Sequence, residues 1–263
     1  MKSLFDYAIR ATMRRAGAVG ISANRITRLR DADGDGNAEF SEIFLEKLNQ
    51  PFGMALKDDT FYVGNTDGVM AYPFDRTTWK VTGPARRIVT FKPGGHWTRS
   101  LLLSPDGTKL YAGVGSQTNI ADRGLEAEEG RAAIWEIDLA TETSRVFATG
   151  LRNPVGMAFE PTTGALWTVV NERDGLGDET PPDYLTSIKD GGFYGWPYSY
   201  WGQHVDVRVQ PQKPELVASA IKPDYGLGSH VAPLSLAFTQ SNALPAQFQN
   251  GAFIGEHGSW NRD

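Results

Sequence analysis

Pairs of short apolar segments, separated by polar turns, recur along the chain from residue 51 onward. The first segments of the pairs read GMAL, SLLL, GMAF and SLAF, and they begin at residues 53, 100, 156 and 235. The second segments read TFYVGN, LYAGVG, ALWTVV and AFIGEH. Their spacing matches or exceeds the roughly 40 to 50 residues of one propeller blade. Strands that follow one another without helices exclude a doubly wound sheet. We predict an all-β protein with about four propeller blades, and an open β-sandwich is the alternative.

The first residues of the chain show a helical pattern instead. One face of the segment SLFDYAIRATMRRA, over residues 3–16, carries Phe5, Ile9, Met13 and Ala16. Ser3 is a candidate N-cap, and Gly17 marks the end of the helix. The pattern therefore predicts an N-terminal helix and linker over residues 1–22, followed by a partial β-propeller domain over residues 23–263.

An acidic segment near residue 31 has the spacing of a calcium-binding loop. Positions 1, 3, 5, 7, 9 and 12 of such a loop correspond to Asp31, Asp33, Asp35, Asn37, Glu39 and Glu42. Gly36 stands at the sharp turn. The residues from Arg25 to Leu29 alternate like a strand, so the helices that usually flank this loop are not predicted. The segment is either a structural calcium loop or a solvated acidic turn.

The stretch from Asn171 to Gly202 holds more turn-forming, acidic and aromatic residues than ordinary packing requires. Its acidic residues are Asp174, Asp178, Glu179 and Asp183, and its aromatic cluster is Phe193, Tyr194, Trp196, Tyr198, Tyr200 and Trp201. Oxygen ligands on irregular backbone are typical of sites for calcium. Because the loops of a propeller gather at one end, the insert over residues 171–232 indicates where the function lies.

Composition excludes several classes of function. The chain has 263 residues, with 26 basic against 31 acidic side chains and a net charge of -5, so no nucleic-acid partner is expected. It has no cysteine, which excludes disulfides, thiolate metal sites and a cysteine nucleophile. No apolar run is long enough to span a bilayer, and the first 22 residues lack the core of an export signal. We therefore predict neither a transmembrane segment nor a signal peptide in this chain.

Two positions before predicted strands carry candidate chemistry. His96, in GGHWTRS, is a candidate general base, because an imidazole titrates near neutral pH. Arg152 and Asn153 precede the strand in GLRNPVGMAF, where a fixed guanidinium can bind carboxylates with two hydrogen bonds. Taken alone, His96 also fits a structural hydrogen bond, and Arg152 fits an interblade salt bridge.

The motifs GHWTR, GLRNPVGMAF, NERDGLGD, DYLTSIKDGGFYGWPYSYWGQH and GEHGSWNR together resemble one enzyme family. From about Ala23 to Asp263 the chain is similar to the pyrroloquinoline quinone (PQQ)-dependent sugar dehydrogenases, in their sorbosone dehydrogenase-like branch. The resemblance implies a six-bladed propeller that binds PQQ on calcium at its mouth. It also implies a periplasmic or extracellular location.

The resemblance further implies roles for individual residues. His96 would take the hydroxyl proton of the sugar while hydride moves to the quinone, and Arg152 would lie beside the reacting groups. The backbone carbonyls of Asp174 and Gly175 would hold a calcium ion that acts as a Lewis acid. The residues implied to contact the cofactor or substrate are Arg152, Asn153, Tyr225, His230, His257 and Arg262. Gly228 departs from a tryptophan of related glucose dehydrogenases, which leaves the sugar open.

Members of the family begin earlier and continue for about two further blades. The resemblance therefore predicts a fragment that lacks later arginines of the quinone site. Open sheet edges of an incomplete propeller favour self-association.

Three functional hypotheses follow. The first is a PQQ-dependent oxidoreductase that oxidises an aldose or sorbosone-like sugar and passes electrons to an external acceptor. The second is a calcium-dependent lactonase-type hydrolase. The third is a non-catalytic propeller that binds carbohydrate or protein through the aromatic face from Trp196 to Trp201.

Overall fold

The computed structural model describes residues 22–239 and 244–259, which belong to two compact units. The first unit ends at Gln50 and the second begins at Pro51. The helix predicted over residues 3–16 lies outside the described residues, and the domain boundary predicted after residue 22 stays a prediction. No helix in the described ranges is long and apolar enough to cross a membrane.

The described part of the first unit is an antiparallel hairpin. Its strands are β1 (Ile26–Arg30) and β2 (Phe40–Leu45). Strand β1 alternates between half-buried and exposed residues over its first positions, as its sequence ITRLR predicts for a sheet with one covered face. The acidic loop connects the two strands, so strands and not helices flank it, as the alternation before Asp31 predicted.

The second unit is a series of antiparallel sheets. The first sheet holds β3 (Met54–Lys57), β4 (Thr60–Asn65), β5 (Gly68–Asp75), β6 (Lys80–Val81) and β7 (Arg86–Thr90). The second holds β8 (Leu101–Leu103), β9 (Lys109–Val114), β10 (Ala133–Asp138) and β11 (Ser144–Thr149). The third begins with β12 (Pro154–Phe159), β13 (Leu166–Val170) and β14 (Pro182–Ser187).

An insert interrupts the third sheet before its last strand. It holds the short hairpin of β15 (Ser199–Tyr200) and β16 (His204–Val205) and the helix α1 (Pro214–Ser219). Strand β17 (Tyr225–Ser229) then completes the third sheet, and β18 (Pro233–Thr239) pairs with β19 (Gly251–Glu256). Two 3₁₀ turns, Leu125–Glu128 and Ala246–Phe248, lie in connecting segments.

The sheets are the blades of a β-propeller. The first strands of successive sheets lie side by side, since β3 contacts β8, β8 contacts β12 and β12 contacts β18. Three sheets have the full set of blade strands, and β18 and β19 begin a further one. The predicted all-β propeller is confirmed, and every pair of strands predicted from the repeats is present.

Apolar side chains fill the spaces between blades. One buried cluster joins the first and second blades through residues such as Val69, Phe91 and Leu110. A second cluster joins the second and third blades and includes Ile134 and Tyr184. Fully burying a side chain of this size contributes about 1.5–3 kcal/mol. Interblade packing therefore holds the ends of neighbouring blades, and the loops on them, in fixed relative positions.

The stretch from Asn171 to Gly202 contains a blade strand that the sequence did not predict. Strand β14 places Asp183 and Thr186 in the protein interior, although polar residues do not mark a buried strand. Its partner β17 contains two glycines, which are depleted in strands. The prediction of one long irregular insert over residues 171–232 was wrong for these two segments.

Candidate active site

Polar loops of the second and third blades converge at one end of the sheets. The register pairs Pro154 with Val170 and Pro182 with Ser229, so the adjoining loops share one edge. The loop segments at this edge contain His96, residues 115–119, Arg152 and Asn153, residues 171–175, and His230. These segments connect strands that the interblade core holds in place. The structure thus brings together most of the residues that the resemblance selected.

Backbone and hydroxyl groups of Ser116 fix the orientation of His96. The Nδ1 atom of His96 lies 2.9 Å from the carbonyl oxygen of Ser116 and 3.1 Å from its Oγ. The hydroxyl group of Ser116 donates a hydrogen bond to the carbonyl oxygen of Thr118, with an Oγ to O distance of 2.6 Å. Both Ser116 oxygens therefore accept from His96, and Nδ1 carries the proton. Nε2 consequently keeps its lone pair.

Two buried arginines hold the loop that presents His96. Arg131 donates to the carbonyl oxygens of Lys92 and Gly94, each at 2.6 Å, and to that of His96 at 3.1 Å. Arg99 donates to the carbonyl oxygen of His96 at 2.7 Å. These charge-assisted hydrogen bonds stabilise an irregular loop that has no strand partner of its own. The sequence did not indicate this role for either arginine.

The same surroundings keep the imidazole neutral. Burial lowers the pKa of His96 to about 3, and the positive charges of Arg152, Arg131 and Arg99 act in the same direction. The carbonyl oxygen of Ser116 opposes them. A neutral imidazole with a free Nε2 can accept a proton.

Gly115 lets the His96 loop and the Arg152 loop approach each other. A Cβ atom at position 115 would lie 2.2 Å from Oδ1 of Asn153 and 2.6 Å from Cβ of His96. The backbone N–H of Ser116 donates to the carbonyl oxygen of Arg152 at 2.8 Å, which fixes the two loops at this spacing. Only glycine fits between them without displacing His96 or Asn153.

We expect Gly115→Ala to lower activity strongly while the protein stays folded, because the added methyl group must push His96 and Asn153 apart. Steady-state kinetics and a thermal melt measure the two effects. Gly251→Ala is the matched control, since a Cβ there meets no atom within 4 Å. Equal activity of the two variants would contradict this account of Gly115.

Arg152, Asp174 and Asn119 form one hydrogen-bonded group. Nη2 of Arg152 donates to Oδ2 of Asp174 at 2.9 Å and to Oδ1 of Asn119 at 3.0 Å. The Asn119 side chain also accepts from the backbone N–H of Asp174 at 2.8 Å and donates to its carbonyl oxygen at 2.9 Å. Asn119 was not predicted as a site residue, yet its side chain joins the arginine loop to the loop after β13.

Several buried polar atoms of this region have no hydrogen-bond partner in the described part of the chain. They include Nε of Arg152 and Oδ1 of Asn153. Burial raises the pKa of Glu172 to about 7, against the opposing effect of the backbone N–H of Arg173. Buried polar groups in native proteins are nearly always paired. Their concentration beside His96 therefore indicates a site that a polar ligand completes.

Asp183 and His230 tie the neighbouring loops together. Oδ1 of Asp183 accepts from the backbone N–H of Glu172 at 2.7 Å, and Oδ2 accepts from that of Ala232 at 2.9 Å. Nε2 of His230 donates to the carbonyl oxygen of Gly177 at 2.9 Å, and its Nδ1 lies 3.6 Å from Oδ1 of Asp174. Asp183 thus joins two loops, and His230 lies beside Asp174 of the Arg152 group.

The two carbonyls selected as calcium ligands both accept one hydrogen bond. The carbonyl oxygen of Asp174 accepts from Asn119, and that of Gly175 accepts from Nη2 of Arg208 at 2.8 Å. Each oxygen keeps a second lone pair. Asp178 and Glu179 are exposed and do not join these residues in a carboxylate cluster.

The acidic loop of the first unit gathers four carboxylates. Ligand atoms of Asp31, Asp33, Asp35 and Glu39 lie within 4.8 Å of one another. The backbone N–H groups of Gly36 and Gly34 lower the pKa of Asp31. The side chain of Asn37 donates to Oδ2 of Asp35 at 3.1 Å.

Glu42 stands apart from this loop. It lies on β2 and forms an ion pair of 2.7 Å with Arg28, because the hairpin register places these residues opposite each other. The structure does not bring it to the position that the spacing of a calcium loop assigned to it. Whether the four gathered carboxylates bind calcium stays a prediction.

Three other predicted contacts fall elsewhere. Tyr225 is at the start of β17, four residues before Ser229, and its side chain is 63% exposed. The backbone of His257 donates to the carbonyl oxygen of Ala232, at 3.3 Å, while its side chain is exposed. Arg262 lies outside the described residues. The structure therefore does not bring the Tyr225 side chain into the cluster around Arg152.

Members of the aromatic cluster pack against the loop that carries Asn119. Tyr194, Trp196 and Tyr198 are buried, and Nε1 of Trp196 donates to the carbonyl oxygen of Asn119 at 2.9 Å. The hypothesis of a binding face from Trp196 to Trp201 requires exposed rings. Trp196 and Tyr198 are buried, whereas Tyr200 and Trp201 are half-buried, so only part of that face reaches the surface.

Comparison with known proteins adds an independent observation. A family model described as TrAA12-like matches residues 17–188. A pyrroloquinoline quinone-dependent sugar dehydrogenase of Hypocrea jecorina is 27% identical over 214 residues, which are 69% of this chain and 50% of that protein. The aldose sugar dehydrogenase YliI of Escherichia coli is 33% identical over 113 residues, which are 43% of this chain and 29% of that protein. The chain thus spans half or less of the length of these two curated relatives.

A solved structure shares the fold. The calcium structure of a Trichoderma reesei carbohydrate-active enzyme of family AA12 superposes with a TM-score of 0.78 at 23% identity, over 91% of this chain and 70% of that chain. The propeller architecture is thereby confirmed. Since the family model covers more than half of the sequence, including His96, Arg152 and Asp174, the chain belongs to the TrAA12-like family.

Proposed function

We propose that this protein is a PQQ-dependent sugar dehydrogenase in which His96 is the general base. The single observation that carries the proposal is the His96 imidazole, whose Nδ1 is held by Ser116 so that Nε2 is left to accept a proton, beside buried polar atoms that have no partner among the described residues. The sugar dehydrogenases among the relatives support the same chemistry.

The residues at this edge fit such a cofactor. The guanidinium of Arg152 matches the carboxylates of the quinone, and Asn153 adds a buried amide whose Oδ1 has no partner in the described residues. The carbonyl oxygens of Asp174 and Gly175 and the carboxylate of Asp174 are ligands of the kind that calcium prefers. When bound, the quinone supplies the hydride acceptor and calcium supplies a Lewis acid.

Residues of the chain accept the proton that the sugar hydroxyl loses. His96 accepts the hydroxyl proton of the sugar at Nε2, and Ser116 holds the ring through Nδ1 while the charge changes. The resulting imidazolium is stabilised by the two Ser116 oxygens. Arg152 and Asn119 keep the loop of Asp174 in place.

We propose an aldose or a sorbosone-like keto-aldehyde as the substrate and an external molecule as the electron acceptor. The sequence motifs shared with the sorbosone dehydrogenase-like branch support the second substrate class. We also propose that the protein works outside the cytoplasmic membrane, as the resemblance implies.

Reduction of an acceptor dye by an aldose tests this function. We expect dye reduction that requires PQQ and calcium together, and no release of acid from a sugar lactone. Lactone hydrolysis that is calcium-dependent and unaffected by PQQ would contradict the proposal and favour the hydrolase.

A further inference from the structure

We propose that Trp97 and Phe52 form a platform on which the pyranose ring of the substrate stacks beside His96. This inference rests on the proposed function and assigns its substrate the form of a closed aldopyranose. The observation behind it is an exposed aromatic pair directly next to the proposed base.

The two rings make a defined contact. Their centroids are 5.7 Å apart at an interplanar angle of 89°, an edge-to-face arrangement. The Trp97 side chain is 40% exposed and the Phe52 side chain is 36% exposed, so one surface of the pair meets solvent. Both residues precede the first strand of a blade, β8 and β3 respectively, and these two strands lie side by side.

The platform is rigid because its backbone is held on both sides. Nη1 of Arg99 donates to the carbonyl oxygens of His96 and Thr98, the residues that flank Trp97, at 2.7 and 2.8 Å. Gly53, next to Phe52, donates its backbone N–H to the carbonyl oxygen of Arg99 at 3.0 Å. A Cβ at Gly53 would lie 2.3 Å from that oxygen, so glycine is required for this approach.

An exposed aromatic surface of this kind suits the C–H face of a sugar ring. A closed pyranose presents a face of C–H groups, which packs on an aromatic surface, and a rim of hydroxyl groups, which needs polar partners. Trp97 follows His96 in the chain, and both precede the first strand of their blade as Asn153 does, so the pair lies at the same end of the sheets as the proposed base. The aromatic residues Trp196 and Tyr198 are buried and present no such face.

The test compares Trp97→Ala, Trp97→Phe and Trp79→Ala in the full chain. Trp79 is the matched control because it is 57% exposed and makes the same edge-to-face contact with a phenylalanine, Phe74, at 6.0 Å and 87°. We expect Trp97→Ala to raise KM for D-glucose about 10-fold or more with kcat changed less than about 3-fold. Trp97→Phe should recover most of the affinity, and Trp79→Ala should behave as the unaltered protein.

Binding is also measured without turnover. Titration of the quinone-free protein with D-glucose should change its tryptophan fluorescence, and this change should be lost in Trp97→Ala but kept in Trp79→Ala. An unchanged KM together with an unchanged fluorescence response in Trp97→Ala overturns the platform. If the unaltered protein reduces no dye, the dehydrogenase proposal fails, while the fluorescence titration still decides whether the sugar lies on Trp97.

Discussion

Replacement of His96 by asparagine is expected to lower kcat for sugar oxidation by about 10²- to 10⁴-fold, the usual contribution of a positioned general base. Asparagine offers no group that accepts the proton, whereas the neutral imidazole keeps Nε2 free through its bonds to Ser116. The measurement is dye reduction at saturating PQQ, calcium and aldose.

Quinone binding separates a chemical role of His96 from a structural one. The His96→Asn variant should bind PQQ within about threefold of the unaltered affinity, because Arg152 and Asn153 are retained. His204→Asn is the matched control, since His204 is an exposed histidine stacked on Tyr200 in the hairpin of the insert. A His96→Asn variant as active as the His204→Asn variant would remove His96 from the mechanism.

Replacement of Arg152 by glutamine is expected to weaken PQQ binding about 10- to 100-fold. A hydrogen bond to a charged group contributes about 1.5–3 kcal/mol, and each 1.4 kcal/mol is a factor of ten. The change also removes a donor from Asp174 and from Asn119. Absorbance titration with PQQ measures the affinity.

The same variant should change the pH dependence of the reaction. His96 acts as a base only when neutral, so activity is lost as the pH falls through its pKa. Burial is the main reason for the low pKa of His96, and the charge of Arg152 is the second. Without that charge the pKa of His96 rises, so the acid limb of the pH profile moves to higher pH.

Arg145→Gln is the control for both effects. Arg145 is a surface arginine paired with Asp190 through two hydrogen bonds, of 2.6 and 2.7 Å, and it does not contribute to the pKa shift of His96. Equal quinone affinity and equal pH profiles in the Arg152→Gln and Arg145→Gln variants would contradict the role assigned to Arg152.

The strands of the blades followed from short apolar segments that recur between polar turns, because such a repeat can be read from the sequence alone. Segments such as GMAL and TFYVGN form β3 and β4. Strand β14 was not predicted, since Asp183 and Thr186 are buried through hydrogen bonds to distant groups. Such partners cannot be identified before the fold is known.

The residues of the candidate site also fall into those that the sequence predicted and those that only the structure revealed. His96 and Arg152 were marked by their positions before strands and by the family motifs. Asn119 and Gly115 were not, because each acts through a contact with a residue more than 15 positions away in sequence. The sequence also could not separate buried aromatic residues from exposed ones. In the face proposed from Trp196 to Trp201, Trp196 is buried and Trp201 is half-buried.

Reduction of the bound quinone by sugar, without any dye, tests the central claim most directly. The protein is loaded with calcium and PQQ under anaerobic conditions, an aldose is added, and the absorbance of the quinone is followed in the unaltered protein and in His96→Asn. We predict rapid bleaching in the unaltered protein, and bleaching at least about 100-fold slower in His96→Asn despite equal loading. Equal rates in the two proteins, or no binding of PQQ by the unaltered protein, would contradict the account.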